Sequence, residues 1–232
     1  MEGSILYSVT DSTRETHNVV TLTLQCENDL SRYCAGQFIT VYFPDTNHRE
    51  GKSYSISKVI DAHHFSITVK DIGEFSHRLS VLNVGDTLMA SLPYGYFYSE
   101  STTSSLILVA GGIGIAPFRA ILLASLEKNP FRPVMLFCSI QYEADGIFRN
   151  ELEVLSKKYP KNFSLYYYVT QENSTPPLRH GRIPVRDIIE LSKDLPDREF
   201  MLCGSIAFVR DFWRGLKASG IPEETIYTEA FF

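Results

Sequence analysis

The chain has 232 residues, is 44% hydrophobic and carries a formal net charge of −5, enough apolar material for one large or two ordinary domains and too much for a disordered or fibrous protein. The balance is acidic, so it offers no basic field to a phosphate backbone, and no nucleic-acid partner is expected. No apolar run approaches the roughly 20 residues of a membrane-spanning helix, and the start Met1-Glu-Gly-Ser-Ile-Leu-Tyr-Ser8 lacks a basic region followed by an apolar core, so no membrane span and a cytoplasmic location are expected.

Up to about residue 98 the pattern is short and alternating, with predicted strands over 19–24, 38–43, 54–57, 65–69 and 87–92. Turn residues at Ala35-Gly36, 44–47, 84–86 and 93–95 separate them. Six or so short strands at this spacing point to an antiparallel barrel or sandwich. One short helix interrupts them around 76–82, where Ser76 is placed to act as its N-cap. Cys26, Cys34, Cys138 and Cys203 are scattered, and the histidines are equally dispersed, so no metal site is expected. His63 and His64, the only neighbouring pair, point to opposite faces of a strand and read as surface groups.

The polar, aperiodic run 99–105 is the linker candidate, dividing a domain over 1–100 from one over 101–232. Beyond it the texture changes. A wholly apolar strand, 106–110, runs into Gly111-Gly112-Ile113-Gly114 and a helix carrying Pro117 in its first turn. Glycines there let a ligand approach bare main chain, and the helix end favours an anion such as a pyrophosphate. The spacing is neither Gly-x-Gly-x-x-Gly nor a nucleotide triphosphatase loop. Strands over 134–138, 164–169 and 200–203 then alternate with helices over 116–128, 145–158, 184–191 and 206–218, the pattern of a parallel sheet covered on both faces.

Taken in order, four motifs resemble those of the ferredoxin–NADP reductase superfamily over nearly the whole chain. Lys52-Ser-Tyr-Ser55 resembles its Arg-x-Tyr-Ser flavin motif, and Gly73-Glu-Phe-Ser76 its Gly-x-x-Ser phosphate turn. Gly111-Gly-Ile-Gly-Ile-Ala-Pro117 resembles its nicotinamide-nucleotide loop, while Cys203-Gly204 and Glu229-Ala-Phe231 resemble its Cys-Gly pair and its Glu-x-aromatic ending. The resemblance implies an antiparallel β-barrel flavin domain followed by a parallel-sheet α/β domain for NADH or NADPH, with hydride passing from the nicotinamide to flavin N5. It assigns FAD, or else FMN, to Lys52, Tyr54, Ser55, Ile56, Ser57, Val69, Lys70, Gly73, Phe75 and Ser76. It assigns the nicotinamide nucleotide to Gly111, Gly112, Ile113, Pro117, Ser139, Gln141, Cys203 and Gly204. Ser55, Cys203 and Glu229 are the implied catalytic residues, with Ser55 near N5 and the other two bordering the nicotinamide. Phe231 would cover the flavin until the nicotinamide displaces it, and Phe232 is its rival for that place.

Two positions depart from the family pattern. Lys52 stands where arginine is usual, which exchanges a bidentate fork for a point charge, and Ile113 stands where threonine is common. No lysine or arginine occurs between Cys138 and Phe148, whereas Glu143 and Asp145 do, so NADH is expected over NADPH unless Ser139, Arg149 or Arg179 holds the extra phosphate. The function expected is that of an FAD-dependent NAD(P)H reductase with a separate electron acceptor, whether free flavin, a ferredoxin or an oxygenase component. The alternatives are a reductase that uses flavin as a substrate, and a non-catalytic flavin-binding electron-transfer subunit.

Overall fold

The computed structural model describes residues 4–28, 33–43, 45, 50–99, 101, 103–173 and 175–231. These form two compact units, one running to Tyr98 and including Arg119–Ile121, the other made of the remaining residues from Ser99 on.

The first unit is a closed barrel. Its strands are β1 (Ser4–Thr16), β2 (Val19–Gln25), β3 (Phe38–Tyr42), β4 (Lys52–Val59), β5 (His64–Lys70) and β6 (Thr87–Ser91), in the order β1-β2-β5-β4-β3-β6. Every neighbouring pair is antiparallel. Alternate residues such as Leu22, Leu24, Ile39, Val41, Ile56, Phe65 and Ile67 fill the interior. Strand β1 escapes the sequence pattern because its register against β2 shifts between Val9 and Asp11 and again between Arg14 and Thr16. Each shift puts two residues opposite one and breaks the period of two.

The short helix α1 (Glu74–Ser80) starts two residues earlier than expected, and Ser76 is not its N-cap. From the third helical position Ser76 Oγ reaches back to accept the N–H groups of Ile72 at 3.0 Å and Gly73 at 3.1 Å, and it donates to the Gly73 carbonyl at 3.0 Å. The hydroxyl closes the turn from inside the helix, as an N3 side chain does in a capping box.

In the second unit β7 (Leu106–Gly111) passes through a single 3-10 turn, Gly112–Gly114, directly into α2 (Ile115–Lys128). There follow β8 (Val134–Ile140), α3 (Arg149–Lys158), β9 (Phe163–Val169), β10 (Arg179–His180), α4 (Val185–Ser192), β11 (Glu199–Ser205), α5 (Ile206–Ala218) and β12 (Ile226–Phe231). The sheet is parallel throughout, ordered β10-β9-β8-β7-β11-β12. Helix α3 begins four residues later than the sequence suggests, because Phe148 adopts φ 58°, outside the helical region. Strand β12 is new as well: residues 226–231 read from the sequence as an ending, not as a strand. Among the described residues no helix is long and apolar enough to cross a membrane.

The run expected as a linker is held firmly by the second unit. Arg132, only 7% exposed, donates to the Ser104 carbonyl at 2.6 Å and to Ser99 Oγ at 3.1 Å, and lies 3.5 Å from the Glu199 carboxylate. Ser99 donates to the same carboxylate, and the Glu199 N–H bonds the Ser105 carbonyl. Lack of periodicity marks a segment whose polar groups are satisfied by a buried ion pair rather than by a ladder. Removing one partner leaves the other buried and uncompensated. Arg132→Ala should therefore cost about 3–5 kcal/mol of stability in urea unfolding, and adding Glu199→Gln should recover part of it.

Candidate functional site

On the barrel, β4 and α1 bring the expected flavin residues together. Tyr54 stacks on Phe75 with ring centroids 6.4 Å apart and planes 17° from parallel, and burial drives its phenol far above the ordinary range. The Lys52 ammonium stands 5.7 Å over the same Phe75 ring and is exposed, so the cation lies beside the Gly73–Ser76 turn. Space is open at Gly73, where an added Cβ would meet nothing within 4 Å. Ser55 and Ser57 lie on the outer face of β4, 5% and 0% exposed. Ile56 and Val69 turn inward to the core, which leaves their main chain alone for a ligand. Lys70 ends β5.

In the second unit the strand order reverses between β7 and β11: the chain runs from β7 outward through β8, β9 and β10, then returns to the other side of β7. A crevice forms outside the carboxyl ends of strands at such a point, and ligands bind there. The residues present are Gly111–Gly114 after β7 and Gly204-Ser205 at the end of β11. The glycines serve different ends. A Cβ on Gly114 would run into the Cys203 carbonyl, and one on Gly111 would lie 3.0 Å from the Phe208 ring. Gly112, at φ +53°, has nothing within 4 Å of where its Cβ would be. Packing therefore accounts for Gly111 and Gly114, and Gly112 is the open face of the loop. Ile113 lies beside it, half-buried, and Pro117 is buried at the third position of α2, where a missing N–H breaks no helical bond.

Cys203 and Glu229 stand side by side in the β11–β12 register, as do Gly204 with Ala230 and Ser205 with Phe231. Their side chains share one face at the carboxyl edge of the sheet. Burial first, and the Glu229 carboxylate second, push the Cys203 thiol well above its ordinary value. It is a neutral, buried thiol and no nucleophile. Ser139 pairs with Gly111 at the end of β8, and Gln141 follows it on the surface. Sequence reading missed Phe208, whose ring lies under both Gly111 and Gly204. It also missed Ser205, which caps α5 by accepting the Phe208 N–H at 3.3 Å. Gly-Ser directly before an apolar helical period is the signal for that cap. Phe232 lies outside the described residues.

A closed barrel bearing a cation beside an open glycine turn, and a parallel sheet with an open glycine loop at its switch point, define a two-domain flavin and nicotinamide reductase class. Residues 7–98 match the oxidoreductase FAD-binding domain family and residues 108–213 the oxidoreductase NAD-binding domain family. One component of the 1,2-phenylacetyl-CoA epoxidase of Escherichia coli K12 is 29% identical over 94% of this chain and 65% of its own. The electron transfer component of the toluate 1,2-dioxygenase of Pseudomonas putida is 28% identical over 86% of this chain and 59% of its own. The chain thus spans about two thirds or less of these relatives. The flavohem-like FAD/NAD-binding domain of a Vibrio cholerae nitric oxide dioxygenase shares the fold with a TM-score of 0.85 at 24% identity, over 97% of this chain and 98% of that one. The chain belongs to the ferredoxin–NADP reductase superfamily of NAD(P)H-dependent flavoprotein oxidoreductases.

The residues present fit both nucleotides. Lys52 beside the unfilled space at Gly73 suits the phosphates of FAD, and the unfilled space at Gly112 ahead of α2 suits those of NAD. The unequal glycines yield a test. Gly114→Ala should prevent native packing of β11 against the loop and lower the thermal midpoint sharply. Gly112→Ala, which meets no atom, should fold at a cost of about 1–2 kcal/mol for its backbone conformation and weaken NADH binding in fluorescence titration.

Proposed function

We propose that this chain is an FAD-dependent NAD(P)H reductase that passes electrons to a separate protein acceptor, as the electron transfer component of an oxygenase does. The observation that carries the reading is the pair of open phosphate positions, Lys52 with Gly73 on the barrel and Gly112 on the sheet, with Cys203 and Glu229 in register beyond the second. The domain over 1–100 then holds the flavin and that over 101–232 the nicotinamide nucleotide. Four cysteines outside any disulfide, among the described residues, accord with a reducing compartment such as the cytoplasm.

When bound, FAD supplies the exchange between hydride uptake and release of single electrons, which no side chain of this set performs. The residues position and exclude. Lys52 neutralises phosphate charge as a point cation. Main-chain N–H groups at Gly112 and the start of α2 hold the nicotinamide nucleotide. The neutral Cys203 offers the nicotinamide an uncharged, polarizable wall, and Glu229 beside it offers a hydrogen-bond acceptor. Tyr54 and Ser55 line the flavin position, and holding two rings in stacked contact is the main catalytic contribution of such a site.

NADH is the preferred donor in this reading. Arg149 is engaged by Glu143 at 2.6 Å and Glu153 at 2.8 Å, while Arg179 donates to Tyr168 Oη at 2.8 Å and lies 3.4 Å from Asp187. Recruiting either to a 2′-phosphate would break an existing pair. Purified protein is expected to be yellow with FAD and to bleach on anaerobic addition of NADH, with kcat/KM at least tenfold above that for NADPH, about 1.4 kcal/mol. A colourless protein that turns over only with added flavin would transfer the reading to free-flavin reduction, and a tenfold NADPH preference would reverse the donor assignment.

Phe231 is proposed as the ring that covers the flavin until nicotinamide arrives. A ring that must leave first subtracts its own stacking energy from nicotinamide binding. Phe231→Ala is therefore expected to tighten NAD+ binding, shift the flavin spectrum and lower kcat. Unchanged spectra and constants would make Phe231 a packing residue of β12.

A further inference from the structure

The outer face of the barrel across β2, β5 and β4 is made of hydroxyls, and they join into a line that ends on a carboxylate. Thr21 Oγ1 lies 2.7 Å from Glu15 Oε1 and 3.0 Å from Thr68 Oγ1. Thr68 donates to Ser57 Oγ at 2.8 Å. Ser57 is the extra residue of a bulge between the Ile56–Ile67 and Lys58–Ser66 pairs, and it donates to the Ser66 carbonyl at 3.2 Å. Thr21, Thr68 and Ser57 are 5%, 4% and 0% exposed, whereas Glu15 on β1 is half-exposed. An insulated row of hydroxyls thus leads from a carboxylate that meets water to the strand bearing Ser55. Arg14 and His17 neighbour Glu15 in the chain, and the Arg14 guanidinium donates to the His17 carbonyl at 3.2 Å. Lys70 and Asp71 follow at the end of β5.

Each hydroxyl has one hydrogen and is free to rotate it. Two arrangements carry a continuous row from Ser57 to Glu15, and only the one with Glu15 protonated has a hydrogen for each of the four contacts. With Glu15 ionised, Thr21 donates to Glu15 and Thr68 to Thr21, and Ser57 turns from the Ser66 carbonyl to donate to Thr68, reversing the Thr68–Ser57 bond. With Glu15 protonated, it donates to Thr21, Thr21 to Thr68, Thr68 to Ser57 and Ser57 to the Ser66 carbonyl. One proton entering at Ser57 and one appearing on Glu15 converts the first into the second with no heavy atom displaced. Mutual pairing of Thr21 and Thr68 would satisfy buried hydroxyls without any carboxylate; the carboxylate is what gives the row an exit.

We propose that Ser57, Thr68, Thr21 and Glu15 are a proton line that drains the flavin N5 proton when electrons leave singly. The inference rests on the reading above that places Ser55 at N5. Ser55 and Ser57 lie two residues apart on the outer face of β4, and a bridging water would join the row to Ser55. Hydride uptake from NAD(P)H brings two electrons and one proton to N5. Two equivalents of a one-electron acceptor take one electron each, the N5–H bond breaks with its electron pair left to the ring, and the proton passes along the line to Glu15 and water.

The test uses FAD-loaded protein reduced anaerobically with one equivalent of NADH and mixed with ferricyanide in a stopped-flow instrument, following flavin absorbance and proton release with an indicator dye. Thr68→Val, which keeps the volume and removes the hydroxyl, and Glu15→Gln should each slow proton release and flavin reoxidation about tenfold or more. Thr68→Ser should restore them. FAD affinity should stay near wild type in all three, and the thermal midpoint should fall in Thr68→Val, which leaves buried hydroxyls short of a partner, but not in Glu15→Gln, so that slowed proton release in Glu15→Gln is not a loss of packing. Wild-type proton release in Thr68→Val, or equal slowing in Thr68→Ser and Thr68→Val with weakened FAD binding, overturns the line. A wild-type chain that binds no FAD, or is reduced by neither NADH nor NADPH, overturns the function proposed above instead.

Discussion

The second unit depends on one close approach, that of the loop backbone at Gly114 to the Cys203 carbonyl at the end of β11. No side chain fits between them, so the turn after β7 lies flat against the neighbouring strand end, and Phe208 seals it from beneath. With Gly114 and Gly111 pinned, Gly112 is forced outward at a positive φ, and its main chain becomes the exposed rim of the switch point. The same contact holds β11 in line with β7, so that Cys203 comes level with Glu229 on β12. Packing and binding are therefore two effects of one constraint, since the glycines that permit contact also orient the one that stays open.

The barrel solves the opposite problem. Its interior is packed with apolar and aromatic side chains, yet Ser55, Ser57, Ser66 and Thr68 on its outer face are as buried as the core. Burying a hydroxyl is tolerable only when it is hydrogen-bonded, and the register supplies partners by setting Thr21 opposite Thr68 and Thr23 opposite Ser66. The buried face of the barrel thus carries uncharged side chains, and the carboxylate of the row, Glu15, lies at its half-exposed end.

Much of this was legible in the sequence. The change from a period of two to strand–helix alternation marks the two textures, and the apolar run into Gly111–Gly114 marks the central strand, because neither signal depends on distant contacts. What failed to show is tertiary in origin. β1 hides behind its two register shifts, α3 starts late because Phe148 leaves helical space, and the linker-like run is held by Arg132 from 28 residues beyond Ser104. At the site, glycine spacing pointed to a phosphate cradle without saying which glycine faces the ligand; that needed the positions of Phe208 and Cys203. Ser76 reads from its motif as a helix cap or phosphate ligand, whereas its hydroxyl is committed to the Ile72 and Gly73 N–H groups and the Gly73 carbonyl.

That commitment changes how charge is met on the flavin side. With the Ser76 hydroxyl turned inward, the side-chain charge beside the turn is that of Lys52, whose ammonium stands 5.7 Å over the Phe75 ring. A point cation attracts a phosphate strongly but aligns it poorly compared with a guanidinium fork. In the proposed site, alignment would come from the aromatic surface, where Phe75 is wedged between Phe43 at 4.8 Å and Tyr54 at 6.4 Å. The barrel core thus extends through Phe75 to the ligand face, and a change in core packing at Phe43 would be felt at Tyr54.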